Sequence, residues 1–356
     1  MKNKFTNKII KLVGCLGIVF SMTACNDWTN TEPLEIKEPN IAEQNPELYA
    51  AYLESIRSYK ASHHKILYAV FNNKEKVPFS QAHRLSVLPD SIDIVSLVHP
   101  DTLAQFELDE IKQVKAEKGT KFVFNMDFEA IKLIYDTRLA DLQNAMSEEK
   151  AENPVSKIPD FITFLVDTVN HTLQLVNKYP FDGISLCYQG KSILHMTEKE
   201  KQQYTAYETA FIGIAKDWSE RNKDKMIIFE GYPQNLLNKS ILTSCKYIVI
   251  PCVDARNASK LTYNLLSANV EGVPNDKFIV SVETAPLNTA DKKSGYWSDG
   301  QTRSIAGASE WVAASHSGFS VVGLGIRNVN NDYFNAARIY PYTRDAISII
   351  NPSPKK

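Results

Sequence analysis

Eight short apolar runs separated by longer amphipathic stretches fill the chain from Lys65 onward, and this rhythm constrains the fold more than any other feature. The expected strands are Ile66–Phe71, Ile92–Val98, Lys121–Met126, Phe181–Tyr188, Met226–Phe229, Tyr247–Pro251, Phe278–Val282 and Phe319–Gly323. Met226-Ile227-Ile228-Phe229 and Tyr247-Ile248-Val249-Ile250 are apolar throughout rather than alternately, the pattern of parallel strands covered on both faces. Helical stripes lie between them. Phe161 to Tyr179 carries Phe164, Leu165, Val169, Leu173 and Val176 and stops at Pro180, and Thr205 to Arg221 places Ala206, Ala210, Ile214 and Trp218 inward. The stretch 127–160 is longer than one βα unit needs, which predicts an extra helix from Phe128 to Ala145 and a charged, solvated connector. Eight parallel strands with intervening helices predict a single-domain α/β fold, a (β/α)8 TIM barrel over residues 46–356, with any site on the loops at the C-terminal strand ends. A doubly wound sheet is the alternative, but no Gly-x-Gly-x-x-Gly turn supports it.

Forty basic residues against forty-one acidic ones leave a net charge of -1 in 356 residues, so the chain lacks the basic footprint of a general nucleic-acid binder. With 44% hydrophobic residues it can fill one large core. No His-Glu-x-x-His or cysteine pair accompanies the seven histidines, and no phosphate loop or nucleophile elbow is present, so no metal and no cofactor is expected.

The N-terminus reads as an address. Lys2, Lys4, Lys8 and Lys11 precede an apolar run from Leu12 to Met22, too short to span a bilayer, which takes roughly 20 apolar residues. Met22-Thr23-Ala24-Cys25 follows and is similar to a bacterial lipobox, making residues 1–24 a signal peptide and Cys25 the lipidated first mature residue. Residues 25–45, polar and punctuated by Pro33, are expected to be a loosely ordered tether. Asp27 just beyond Cys25 resembles the surface-export signals of Bacteroidetes lipoproteins, which implies the outer face of an outer membrane. Cys187, Cys245 and Cys252 are expected as buried thiols. As ends of one strand, Cys245 and Cys252 would stand about 23 Å apart, far beyond bridging distance.

The segment Asp182-Gly183-Ile184-Ser185-Leu186-Cys187-Tyr188-Gln189 carries the most specific signal. It resembles the fourth strand of family 18 glycoside hydrolases, whose Asp-Gly-x-Asp-x-Asp-x-Glu ends in the general acid. In that family the aspartate two residues before the acid orients the substrate N-acetyl group. Here Asp182 and Gly183 match, whereas Ser185, Cys187 and Gln189 occupy the positions of Asp, Asp and Glu. A carboxamide has no proton to give to a leaving glycosidic oxygen, and general acid catalysis contributes about 10²–10⁴-fold. Gln189 still offers two donors and an acceptor. The C-terminal Asn331-Asp332-Tyr333-Phe334 and Tyr340-Pro341-Tyr342-Thr343-Arg344 also resemble closing segments of family 18 domains in Bacteroidetes surface lipoproteins. Catalytically dead members of that group serve as surface glycan-binding proteins.

The expected strand ends supply polar side chains suited to sugars: Asn72 after the first, Asn125 and Asp127 at the third, Glu230 and Tyr232 at the fifth, Asp254 and Asn257 after the sixth, Glu283 at the seventh, Arg327 and Asn328 after the eighth. Tyr296 and Trp297, in a polar loop, are candidate stacking platforms for a sugar ring, or else a lid packed on the domain. The resemblance therefore implies a non-catalytic, lipid-anchored surface protein that captures an oligosaccharide or glycoprotein glycan containing N-acetylglucosamine, with partner proteins of a glycan-uptake complex and no nucleic acid. Two alternatives stand beside it. One is an active endo-β-N-acetylglucosaminidase using Asp127, Glu230 or Glu283, and the other is a structural docking lipoprotein.

Overall fold

A computed structural model describes residues 41–147, 159–335 and 337–352. The expected signal peptide, Cys25 and most of the expected tether lie outside the described residues, as does most of the charged connector before Asp160. The chain divides into two units, residues 1–51 and 52–356. In the first, Ile41–Gln44 is helical at the end of the stretch expected as tether, and a second helix, Pro46–Ala61, begins there and runs on into the second unit.

The second unit is a closed barrel of eight parallel strands in chain order, as the rhythm of apolar runs predicts. The strands are β1 (Ile66–Phe71), β2 (Ile94–Leu97), β3 (Lys121–Asp127), β4 (Gly183–Tyr188), β5 (Met226–Gly231), β6 (Tyr247–Pro251), β7 (Phe278–Glu283) and β8 (Val321–Arg327). The expected eighth strand, Phe319–Gly323, is corrected: pairing continues four residues further, to Arg327. Gly323 faces Ile66 across the β1–β8 ladder, where a Cβ would come within 2.2 Å of the Ile66 carbonyl oxygen. A residue that reads as a breaker is here the one residue that lets two strands approach.

Helices cover the outside. Asp160 caps Phe161–Lys178 by accepting from the Ile162 and Thr163 amides at 3.0 and 3.2 Å. Thr197 and Glu200 form a reciprocal capping box that starts Glu198–Glu208. The expected Thr205–Arg221 helix belongs to a longer helical run from Glu198 to Arg221, which loosens to a π-helical stretch at Thr209–Gly213. Among the described residues no helix is long and apolar enough to cross a membrane.

Alternation along each strand divides the apolar residues into two cores. Tyr68, Val70, Ile94, Val123, Ile228, Val249 and Ile279 fill the barrel interior. Leu67, Phe122, Ile184, Leu186, Phe229, Ile248 and Val280 pack outward against the helices. Each fully buried Leu, Ile or Phe contributes about 1.5–3 kcal/mol. At the N-terminal end Asp182 pairs with Lys115 at 3.0 Å and accepts from the Phe122 amide at 2.9 Å. The first residue of the recognisable motif thus ties strands together at the end opposite the site.

Candidate functional site

Parallel pairing places Asn125 beside Ser185, Asp127 beside Cys187, and Cys187 beside Glu230, so these residues share the inner face of β3, β4 and β5. Ser185 and Cys187 are buried in the barrel, as the period of two predicts. Gln189 follows one residue beyond β4 and is exposed at the mouth, where its carbonyl accepts from Asn235 Nδ2 at 2.8 Å.

The interior at this level is a polar network. Arg327, reaching in from β8, forms an ion pair with Glu230, which is only 2% exposed. The negative charge of Glu230 holds the Arg327 guanidinium above its ordinary pKa. The fully buried Tyr68 hydroxyl lies 3.0 Å from Glu230 Oε2 and 3.1 Å from Ser185 Oγ. Burial first, then the charge of Glu230, pushes that phenol far above its usual range. Cys187 donates its S–H to Asn125 Oδ1 at 3.2 Å, and burial followed by the Glu230 and Asp127 charges keeps it a neutral thiol. Both Cys187 and Tyr68 are therefore held in their neutral, protonated forms.

Of the other expected carboxylates, Asp127 and Asp254 have local partners. Asp127 Oδ1 accepts from the amides of Glu129 and Ala130 at 2.9 and 3.1 Å, holding the start of the helix Phe128–Ser147. Asp254 is exposed, 3.2 Å from Lys260 and within 3.1 Å of Asn264. Glu283 is half-buried, and burial raises its pKa against the opposing pull of Arg256 and Arg327. Asn257 caps the helix Ala258–Ala268 through the Lys260 amide at 2.8 Å. Asn72 is exposed and accepts from the Lys74 amide at 3.1 Å. Asn328 takes a left-handed conformation, φ 53°, and its carbonyl accepts from the Thr284 hydroxyl at 2.7 Å. Tyr232 is half-buried beside Asp254 in a shallow cleft of about 270 Å³.

Tyr296 and Trp297 form the lid rather than open platforms. Tyr296 is 4% exposed, with its ring covered by Arg303 at 4.2 Å and Lys292 at 5.3 Å. Trp297 packs against the core, so close to Gly307 that a Cβ there would lie 2.1 Å from the indole. A tight loop, closed by the Trp297 amide donating to the Thr302 carbonyl at 2.9 Å, turns both rings inward.

Sequence reasoning missed Tyr68, because a tyrosine within an apolar strand reads as core. Asn73, next to Asn72 after β1, is committed elsewhere: it donates to Glu107 at 2.7 Å and to the His99 carbonyl at 2.9 Å. At the mouth, a cleft of about 400 Å³ is bordered by Val98, Asn125, Asp127, Ile134, Thr172 and Arg327. Such a cavity, polar at its floor and apolar at its rim, suits a small ligand of mixed character. Among the described residues no group of histidine, cysteine and carboxylate side chains could hold a metal ion.

A closed (β/α)8 barrel with its degenerate acid motif on the fourth strand defines a protein of the glycoside hydrolase class. The chain belongs to glycoside hydrolase family 18, BT1044-like, which matches residues 29–349. Its structure is similar to that of a selenomethionine, glutamate-to-glutamine variant of BT1044, at 18% identity and a TM-score of 0.60, over 88% of this chain and 96% of that one. It is also similar to the endo-β-N-acetylglucosaminidase from Cordyceps militaris in apo form, at 15% identity and a TM-score of 0.55, over 85% of this chain and 96% of that one. A variant of that enzyme in complex with fucosyl-N-acetylglucosamine-Asn aligns at 17% identity and a TM-score of 0.53, over 85% and 96%. At these identities the likeness is one of fold. No curated protein matches the chain.

Proposed function

We propose that this barrel is a non-catalytic, lipid-anchored surface protein that captures N-acetylglucosamine-containing glycans, host N-glycans among them, ahead of uptake. The observation that carries the reading is Gln189 at the mouth of β4, where the family has its general acid, with Ser185 and Cys187 below it in place of two aspartates. Replacing the acid by a carboxamide removes the proton that a departing sugar needs and keeps hydrogen-bonding capacity toward an acetamido or glycosidic oxygen. Two of the three substitute carboxylates are engaged elsewhere, Glu230 buried against Arg327 and Asp127 capping a helix, which leaves Glu283 alone to fill the gap. Relatives that include an endo-β-N-acetylglucosaminidase support the glycan class, and Met22-Thr23-Ala24-Cys25 supports the anchor.

Native mass spectrometry of the full chain after long incubation with defined biantennary and high-mannose N-glycans tests this. An intact adduct without product, weakened by Gln189→Ala, is expected. Released N-acetylglucosamine-ended product would overturn the reading and direct attention to Glu283.

A further inference from the structure

A second cleft, of about 230 Å³, opens at the same end of the barrel between the loops after β7 and β8, bordered by Thr284, Pro286, Leu287, Arg303, Asn331 and Phe334. β4 and β8 are four strands apart in the closed barrel, so this cleft lies across the mouth from Gln189.

Arg303 distinguishes it. The guanidinium carbon sits 4.2 Å from the Tyr296 ring centroid and 5.0 Å from that of Tyr342, so aromatic rings hold the cation in place. Among the described residues nothing accepts a hydrogen bond from this guanidinium. Asp332, the carboxylate that borders the same cleft, feels the charge of Arg303 but forms no ion pair with it: its oxygens accept from the Thr343 amide at 2.7 Å, the Thr343 hydroxyl at 2.6 Å and the Tyr342 amide at 3.3 Å. Arg303 is thus a half-buried cation fixed by stacking, with its N–H edge unfilled and a cavity beside it. Five donors in one plane match a planar or tetrahedral oxyanion, and a carboxylate best, through two parallel bonds. Leu287 and Phe334, 57% and 50% exposed, add apolar surface at the rim for the C–H face of a ring. The volume is below the roughly 300–1,000 Å³ of drug-sized pockets, which suits one sugar ring rather than a chain.

We propose that Arg303 anchors a subsite for an acidic sugar, a pyranose bearing a carboxylate or sulfate, at the outer end of the captured glycan. This rests on the glycan-binding reading above and specifies which glycans the site selects. A ring held at Arg303 lies at the far side of the mouth from the one at Gln189, so selection acts on a terminal unit.

The test is affinity of the full chain for a sialylated biantennary N-glycan, its desialylated counterpart and a sulfated analogue. The sialylated glycan is expected to bind about tenfold more tightly than the neutral one, which corresponds to 1.4 kcal/mol. Arg303→Met, which keeps an apolar contact with both tyrosine rings, should abolish that preference and leave neutral-glycan affinity unchanged. Arg303→Lys retains charge without the fork, should retain only part of the preference, and serves should the methionine variant fail to fold. If the sulfated glycan alone is preferred, the anion at the site is sulfate. Equal affinity for charged and neutral glycans, or a preference surviving Arg303→Met, would overturn the proposal. Free N-acetylneuraminate separates the two readings. A rise in melting temperature with this sugar, absent in Arg303→Met, would keep the subsite even if no N-glycan bound at the mouth. No glycan binding and no such rise would overturn both.

Discussion

Replacing Arg327 by methionine removes the cation that pairs with Glu230 while leaving most of the side-chain volume. Glu230, 2% exposed, would then keep only the Tyr68 hydroxyl at 3.0 Å as a partner. Truncating one member of a buried ion pair costs about 3–5 kcal/mol, because a charge is left desolvated. The Arg327 side chain is 34% exposed, so water entering from the mouth offsets part of that penalty, and about 2–3 kcal/mol is the expected loss. For a domain of this size that amounts to a fall in melting temperature of roughly 4–10 °C. Differential scanning calorimetry and urea denaturation at neutral pH, on wild type, Arg327→Met, Glu230→Gln and the double variant, measure it. If the stranded charge is the cause, Glu230→Gln in the Arg327→Met background restores at least half of the loss, since the amide still accepts from Tyr68 and carries no charge. A double variant as unstable as the single one, or an Arg327→Met protein as stable as wild type, would refute the reasoning.

Cys187, Cys245 and Cys252 should resist iodoacetamide at pH 8 in the native protein and react fully in guanidinium, because burial pushes Cys245 and Cys252 up to about 12 and raises Cys187 well above its ordinary value; peptide mapping reads each site. Gly307→Ala should destabilise by about 1–3 kcal/mol and shift tryptophan emission, because a Cβ cannot occupy the space of the Trp297 ring without displacing it; unchanged stability and spectrum would count against the packed lid. The His64–Asp93 pair, 2.9 Å apart, raises the His64 pKa chiefly through its hydrogen bond to Asp93. Its contribution, about 1 kcal/mol, is fully present below the unfolded value near 6.5 and lost as pH rises through the higher folded value. Wild type should therefore lose more stability than His64→Gln between pH 6 and pH 8.5, and parallel urea midpoints would contradict this.

The barrel was legible because continuous apolar runs and helical stripes alternate at the spacing a closed parallel sheet requires. β1 and β6 occupy the expected residues, while β8 was read short because Gly323 and Gly325 look like the end of a strand when seen without the neighbours they accommodate. The site was legible only in part. Glu230 and Arg327 each stood out as polar residues at strand ends, but β6 and β7 lie between their strands, and nothing local in either segment reveals that one neutralises the other. Tyr296 and Trp297 sit in a run of charged and small residues that reads as an exposed loop. Their burial depends on Gly307 and Arg303, which belong to the next helix and the residue before it. Asp127 and Asn257 illustrate the converse: the residue types that suit sugars also cap helices, and position alone decides between the two roles.

The register that sets Cys187 beside Glu230 also bears on which side chains this layer can accept. An aspartate placed at position 187 would stand abreast of Glu230, two carboxylates in one buried layer beside the guanidinium of Arg327. Mutual repulsion there would raise the pKa of one carboxylate and penalise its charged form. With cysteine at 187 the glutamate and arginine close on each other as a neutral pair, and room for change lies in the loops around the mouth rather than in the layer beneath it.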